Sequence, residues 1–243
     1  PGHLLESIDL GNTIEVLMVG GSGFEPVFRG HITALEEVYG FCLFHHAQSG
    51  RYYAFANSKN GKVIQFLLES RGERIFPSPV REFELGGQLE GMAVDEAFDR
   101  LFVGEEEKGI HRLSALPTGG EQATFLSQSS AERNPNLAYD IEGLALFPQG
   151  PQKGLLLASS QGNNRFVAFD RQPPHAYRGS FRVGDSLTDG AQETDGIAVS
   201  PHRFGPAYPE GLFVCQDGQR PQAAQRQNFK YLSWQHIAST MDW

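Results

Sequence analysis

One phrase recurs four times along this chain at nearly constant spacing. An oxygen-bearing side chain is followed by glycine and then by alternating apolar residues. It reads YGFCLF from Tyr39, EGMAVD from Glu90, EGLALF from Glu142 and DGIAVS from Asp195, at spacings of 51, 52 and 53 residues. Ten to eighteen residues later each unit has a second apolar stretch that ends in polar residues: YYAFANS, LFVGEEE, LLLASSQ and LFVCQDG. Two units show a third, KVIQFLL and RFVAFDR. Stretches this short, bounded by Gly, Pro, Asn or Asp, read as strands. The best helix candidate is the end, SWQHIAST from Ser233. A period near 50 with several antiparallel strands per unit is that of a β-propeller blade, so the expected class is all-β.

Propeller geometry gives the repeated oxygen a meaning. The first strand of each blade runs along the central channel, and equivalent positions form a ring at one depth. Tyr39, Glu90, Glu142 and Asp195 are then expected on one rim. Asp140, two residues before Glu142, shares its strand face. Any one of these acids could simply cap a strand. Acids at three of four equivalent positions, with a phenol at the fourth, favour a shared task. Converging carboxylates repel, and a hard divalent cation with oxygen ligands relieves that repulsion. Calcium suits carboxylate, phenol and water better than zinc does.

Charge and hydropathy exclude other classes. The formal net charge is -9, which argues against a nucleic-acid partner, since phosphate-backbone binders carry a basic face. No apolar run approaches the roughly 18–20 residues that span a bilayer, and nothing at the N-terminus reads as a signal peptide. Cys42 and Cys215 each lie inside an apolar stretch and read as buried free thiols.

The ordered set EVYGF, YYAFANSKNGKV, EGMAVDEAFDRLFVGEEEKGI, DIEGLALF, LLLASSQGNNRFVAFDR, TDGAQETDGIAV, PAYPEGLFVCQDG and QNFKYLSW resembles the β-propeller (alkaline) phytases from about residue 12 to 238. The resemblance implies a six-bladed propeller with several calcium ions in and above its channel. The implied activity is that of a phosphoric monoester hydrolase of the 3-phytase type, acting on phytate or calcium phytate, in a secreted or periplasmic setting. It implies that Glu90, Asp140, Glu142, Asp189 and Asp195 hold calcium and that Gln161 lies near the metals. Lys59 would contact the scissile phosphate, Tyr39 calcium or phosphate, and Glu106 would take a further acidic position in the active site. Glu105 and Glu107 beside it could equally form a solvated acidic turn.

The chain also departs from that pattern. At about 52 residues per unit, 243 residues make fewer than five blades. Residues 1–30 read as outer strands of an earlier blade. The expectation is one partial propeller domain over 1–243, with four to five blades starting near 39, 90, 142 and 195, either a fragment of a longer chain that supplies further basic residues or a naturally incomplete propeller. Asn60 stands where the family often has an acid. After CQDG come Gln219, Arg220 and Pro221, which predicts that structural calcium sites there are lost or weakened. Asp217 is expected in a turn, Arg165 and Lys230 at the surface, and Trp234 against the last outer strand. His45 and His46 alternate across a strand and cannot share one metal. Two other readings stay open: another calcium propeller hydrolase, such as a lactonase, and a non-catalytic helper or binding propeller.

Overall fold

The computed structural model describes residues 3–8, 13–20, 23–31, 34–72, 74–184, 189–218 and 227–243, with side chains from residue 34 onward. The expectation for Gln219, Arg220 and Pro221 lies outside the described residues. The chain is almost entirely β, and its antiparallel sheets are the blades of a β-propeller. Strands β1 (His3–Ile8), β2 (Thr13–Gly20) and β3 (Gly23–His31) form a three-stranded sheet over the segment expected to hold outer strands. Strands β4 (Val38–His46), β5 (Arg51–Ser58), β6 (Lys62–Arg71) and β7 (Arg74–Glu84) form a four-stranded sheet in sequence order. Strands β8 (Leu89–Asp95), β9 (Arg100–Glu105), β10 (Gly109–Ser114) and β11 (Thr124–Phe125) form another. Strands β12 (Ile141–Pro148), β13 (Gly154–Ser160), β14 (Arg165–Asp170) and β15 (Tyr177–Phe181) repeat the pattern. The last sheet has β16 (Ile197–Ser200), β17 (Leu212–Asp217) and β18 (Asn228–Ser233), and it leads into helix α1 (Trp234–Met241) at the predicted place.

The molecule divides into two compact units, residues 1–105 with 112–124, and residues 106–111 with 125–243. Each is held by its own apolar core. In the first, Phe44, Phe55, Val63, Leu89, Leu101 and Val103 are fully buried in one cluster. In the second, Leu157, Phe166, Phe213 and Cys215 pack with Trp234 and Ile237 of α1. Each such large side chain contributes about 1.5–3 kcal/mol by leaving water. Trp234 begins the helix and stacks on Phe147 of β12 at 3.9 Å between ring centroids. The two histidines stay apart, as expected: His45 stacks on Tyr52 and His46 bonds the Ser49 hydroxyl.

The repeated phrase has a common geometry. The pairing register breaks between Val38 and Phe41, between Leu89 and Met92, and between Ile141 and Leu144. Each break contains one oxygen–glycine pair: Tyr39-Gly40, Glu90-Gly91 and Glu142-Gly143. Such bulges lift a residue out of the ladder and re-aim its side chain. The glycine is required by close approach. Gly143 N donates to Asp195 O at 2.6 Å, and a Cβ on Gly143 would stand 2.5 Å from that carbonyl. A Cβ on Gly40 would collide with the carbonyl of Glu90. The first strand of one blade is thus pressed against the start of the next, in the first unit by Gly40 and in the second by Gly143.

The polar residues that end each second strand fasten these approaches. Asn57, fully buried, accepts from Gly40 N at 2.7 Å and donates to Glu90 O at 2.8 Å. In the second unit Ser159 Oγ donates to Thr194 O at 2.8 Å. The recurrent polar tail of LLLASSQ and YYAFANS is therefore a set of inter-blade staples.

Candidate metal and phosphate site

The second unit gathers three of the expected acids. Glu106 directly follows β9, Asp140 precedes β12, and Glu142 lies in the β12 bulge. One carboxylate oxygen from each lies within 4.8 Å of the other two. Glu106 is 8% exposed and Glu142 4%, so two of the charges are almost out of water. Ile141 N donates to Glu106 O at 3.0 Å, which locks the strand carrying Asp140 and Glu142 to the turn carrying Glu106. The preceding Tyr139 is anchored separately, its hydroxyl donating to Lys108 O and accepting from Ala131 N, both at 3.2 Å. Two buried carboxylates and a half-buried one at this distance repel one another, and a cation placed among them would relieve that repulsion. The donors are all hard oxygens, with neither thiolate nor imidazole in the set, which fits a hard metal ion with oxygen ligands.

The neighbouring acid, Asp195, is held differently. Its carboxylate accepts from Gln161 Nε2 at 2.8 Å and from Gln216 Nε2 at 3.3 Å, while its backbone N–H donates to Gln216 Oε1 at 2.9 Å. Burial is the main influence raising its pKa above the ordinary carboxylate value, and the charge of Glu193 adds to it. The two amide bonds pull the other way. Gln161 therefore serves as a carboxylate holder, and it starts a short 3-10 turn whose own N–H is bonded to Asp140 O at 2.9 Å. Gln216 is a residue that sequence reasoning missed. Its only signal was its place in the polar tail of the fourth second-strand stretch.

Lys59 and Tyr39 meet in the first unit. Tyr39 sits in the β4 bulge and Lys59 just past the end of β5, with the ammonium 4.4 Å from the phenol ring centroid. The ring face adds electrostatic attraction for that ammonium. Lys59 Nζ also pairs with Glu37 at 2.9 Å, a partner the sequence did not suggest. The pair borders a groove of about 280 Å³ lined by Glu36, Glu37, Ser58, Lys59 and Asn60. Asn60 accepts from the Ser58 hydroxyl and from Lys62 N, so it shapes the turn. Glu90 lies on β8 at the matching bulge of the next blade, its carbonyl bonded by Asn57.

The acidic run after β9 resolves into three different environments. Glu105 is buried and accepts from Gly87 N at 3.0 Å, Glu106 joins the carboxylate cluster, and Glu107 is exposed. Asp189 is placed with a cation: Lys230 Nζ lies 2.7 Å from it and 3.2 Å from Asp217. This corrects two expectations. Lys230, expected at the surface, has a side chain only 10% exposed. Asp217, expected in a turn, ends β17 and is 1% exposed. The alternating pattern of NFKYLS turns Phe229 and Tyr231 outward and Lys230 inward, against the usual preference of a lysine.

A phytase family model matches residues 12–243. A curated relative, the 3-phytase of Bacillus subtilis (strain 168), is 38% identical over 236 residues, covering 93% of this chain. The chain spans 61% of the length of that relative.

Proposed function

Because the chain belongs to the phytase family, we propose that residues 1–243 form one partial propeller domain of a calcium-dependent phosphomonoester hydrolase that releases phosphate from phytate or calcium phytate. The observation that carries this reading is the cluster of Glu106, Asp140 and Glu142, three carboxylates with oxygens within 4.8 Å. Several calcium ions are part of the proposal. Glu106, Asp140 and Glu142 would hold calcium, and the same role is proposed for Glu90 and Asp195. When bound, calcium neutralises phosphate oxygens and makes a coordinated water a better nucleophile.

The protein's own groups divide the remaining work. The bulge at Ile141/Leu144 lifts Glu142 out of the ladder, which would aim its carboxylate toward the bound cation. Gln161 and Gln216 keep both oxygens of Asp195 oriented. Lys59 is proposed as a phosphate contact, with Tyr39 steadying its ammonium. Its bond to Glu37 is between exposed groups and worth at most about 1 kcal/mol, so a phosphate dianion can displace it. No helix among the described residues is long and apolar enough to cross a membrane. Secretion or a periplasmic location is proposed on the resemblance alone.

The test is phosphate release from calcium phytate by the 243-residue chain. Release should stop on chelation, return with added calcium, and fall at least about a hundredfold in Glu142→Ala. Activity that survives both chelation and Glu142→Ala would refute the mechanism. Calcium binding without any phosphate release would favour a binding module instead.

A further inference from the structure

A half-buried ammonium sits in the last sheet, 41 residues from one of its partners in sequence. Lys230 on β18 reaches Asp189 Oδ1 at 2.7 Å and Asp217 Oδ2 at 3.2 Å. The other oxygen of Asp217 accepts from Gln192 N at 3.2 Å. Asp189 and Gln192 belong to the segment that runs into Asp195. The same segment is bonded to the end of β17 three more times. Gly218 N donates to Gln192 O at 2.9 Å, Thr194 Oγ1 to Gln216 O at 2.8 Å, and Asp195 N to Gln216 Oε1 at 2.9 Å. The segment is therefore clamped from residue 189 to residue 195, with Lys230 closing its far end.

We infer that Lys230 is a positioning residue that fixes the 189–195 segment and so the placement of Asp195, and that Asp189 is balanced by this ammonium rather than by a metal ion. The second half of this inference departs from what the resemblance implied for Asp189. The part concerning Asp195 rests on the proposed calcium site. Asp217 is buried and Asp189 lies on the same ammonium, so removing Lys230 takes a counter-charge from a buried carboxylate and from its neighbour at once. Leaving a buried charge without its counter-ion is among the more damaging changes a fold can suffer. The ammonium is also the right shape. It is compact and carries three donors, enough for both carboxylates, whereas the planar guanidinium of arginine is larger and directional.

The test is calcium titration by calorimetry together with thermal melting, on the 243-residue chain and its variants. Asp189→Asn should leave the number of bound calcium ions unchanged while lowering the melting temperature. Lys230→Met should lower the melting temperature by roughly 5 °C. At temperatures where it remains folded, it should weaken calcium binding about tenfold, a change that loss of stability alone would not produce. Lys230→Arg should recover part of both effects, and adding Asp217→Asn to Lys230→Met should recover part of the melting temperature. Loss of one calcium ion in Asp189→Asn would overturn the assignment of Asp189. Unchanged calcium affinity in folded Lys230→Met would overturn the positioning role. If the unaltered chain bound no calcium, the calcium proposal itself would fail. The clamp would then stand or fall on the melting of Lys230→Met and its recovery in the double variant.

Discussion

Two groups of carboxylates in the second unit face the same electrostatic problem and answer it in different ways. Asp189 and Asp217 have a lysine between them, at 2.7 and 3.2 Å. Glu106, Asp140 and Glu142 bring oxygens within 4.8 Å of one another in a set that suits an external cation. In the first arrangement a lysine of the chain sits between the acids, and its charge goes into holding a segment in place. The second brings three carboxylates of different elements to one point, a geometry suited to a bound cation. A protein that gathers acids can use them as structure or as a site.

The two regions are joined at Gly143, where β12 touches the carbonyl of Asp195. Gly143→Val should therefore damage both at once. Its Cβ would stand 2.5 Å from that carbonyl, and the expected loss is roughly 3 kcal/mol or more, read in a denaturant melt. A variant of unaltered stability would show that the approach is looser than described.

Alkaline pH separates the two regions. Burial opposes the charge of Lys230, but the hydrogen bonds and charges of Asp189 and Asp217 outweigh it and raise its pKa above 10.5. A group whose folded pKa is raised gives stability that is fully present below its unfolded value and is lost as pH rises through the folded one. The melting temperature of the unaltered chain should thus fall above about pH 10.5. Lys230→Met should lack that particular decline, and parallel curves for the two proteins would contradict the clamp.

The sequence showed one of these regions far better than the other, for a physical reason. The oxygen–glycine phrase recurs at the blade starts, and at Gly40 and Gly143 close approach to the next blade requires the glycine, so the period exposes Glu142 and Asp195 together. Asp140 then follows from its place two residues before Glu142, whereas Glu106 came only from the family resemblance. No repeat carries the Lys230 clamp: its three residues come from one segment and two strands of a single blade. Lys230 reads as a surface lysine until the register of β18 turns it inward. Likewise, the three glutamates of EEEKG are alike in sequence. Only the end of β9 decides that Glu105 bonds Gly87, Glu106 joins the cluster and Glu107 meets water. Glu37 was missed because its pairing with Lys59 crosses from the start of one strand to the end of another.

A smaller effect tests whether Lys59 is reserved for a ligand. Glu37→Gln removes its competitor, and the KM for phytate should fall about two- to fivefold with little change in kcat. A rise in KM would mean that Glu37 positions Lys59 for phosphate. The smallest effect concerns Cys215, which neighbours the clamp. Burial first, and the charge of Asp217 second, push its thiol up to about 12 against the opposing influence of Lys230. A thiol reagent at pH 8 should leave Cys215 unmodified in the folded chain, and rapid labelling would show that the last sheet opens.

The most direct measurement is an anomalous difference map from crystals of the chain grown with calcium. A calcium peak is expected about 2.3–2.6 Å from carboxylate oxygens of Glu106, Asp140 and Glu142. No peak is expected at Asp189, where Lys230 keeps its place. An empty three-carboxylate cluster, or a calcium ion at Asp189 with Lys230 displaced, would contradict this reading.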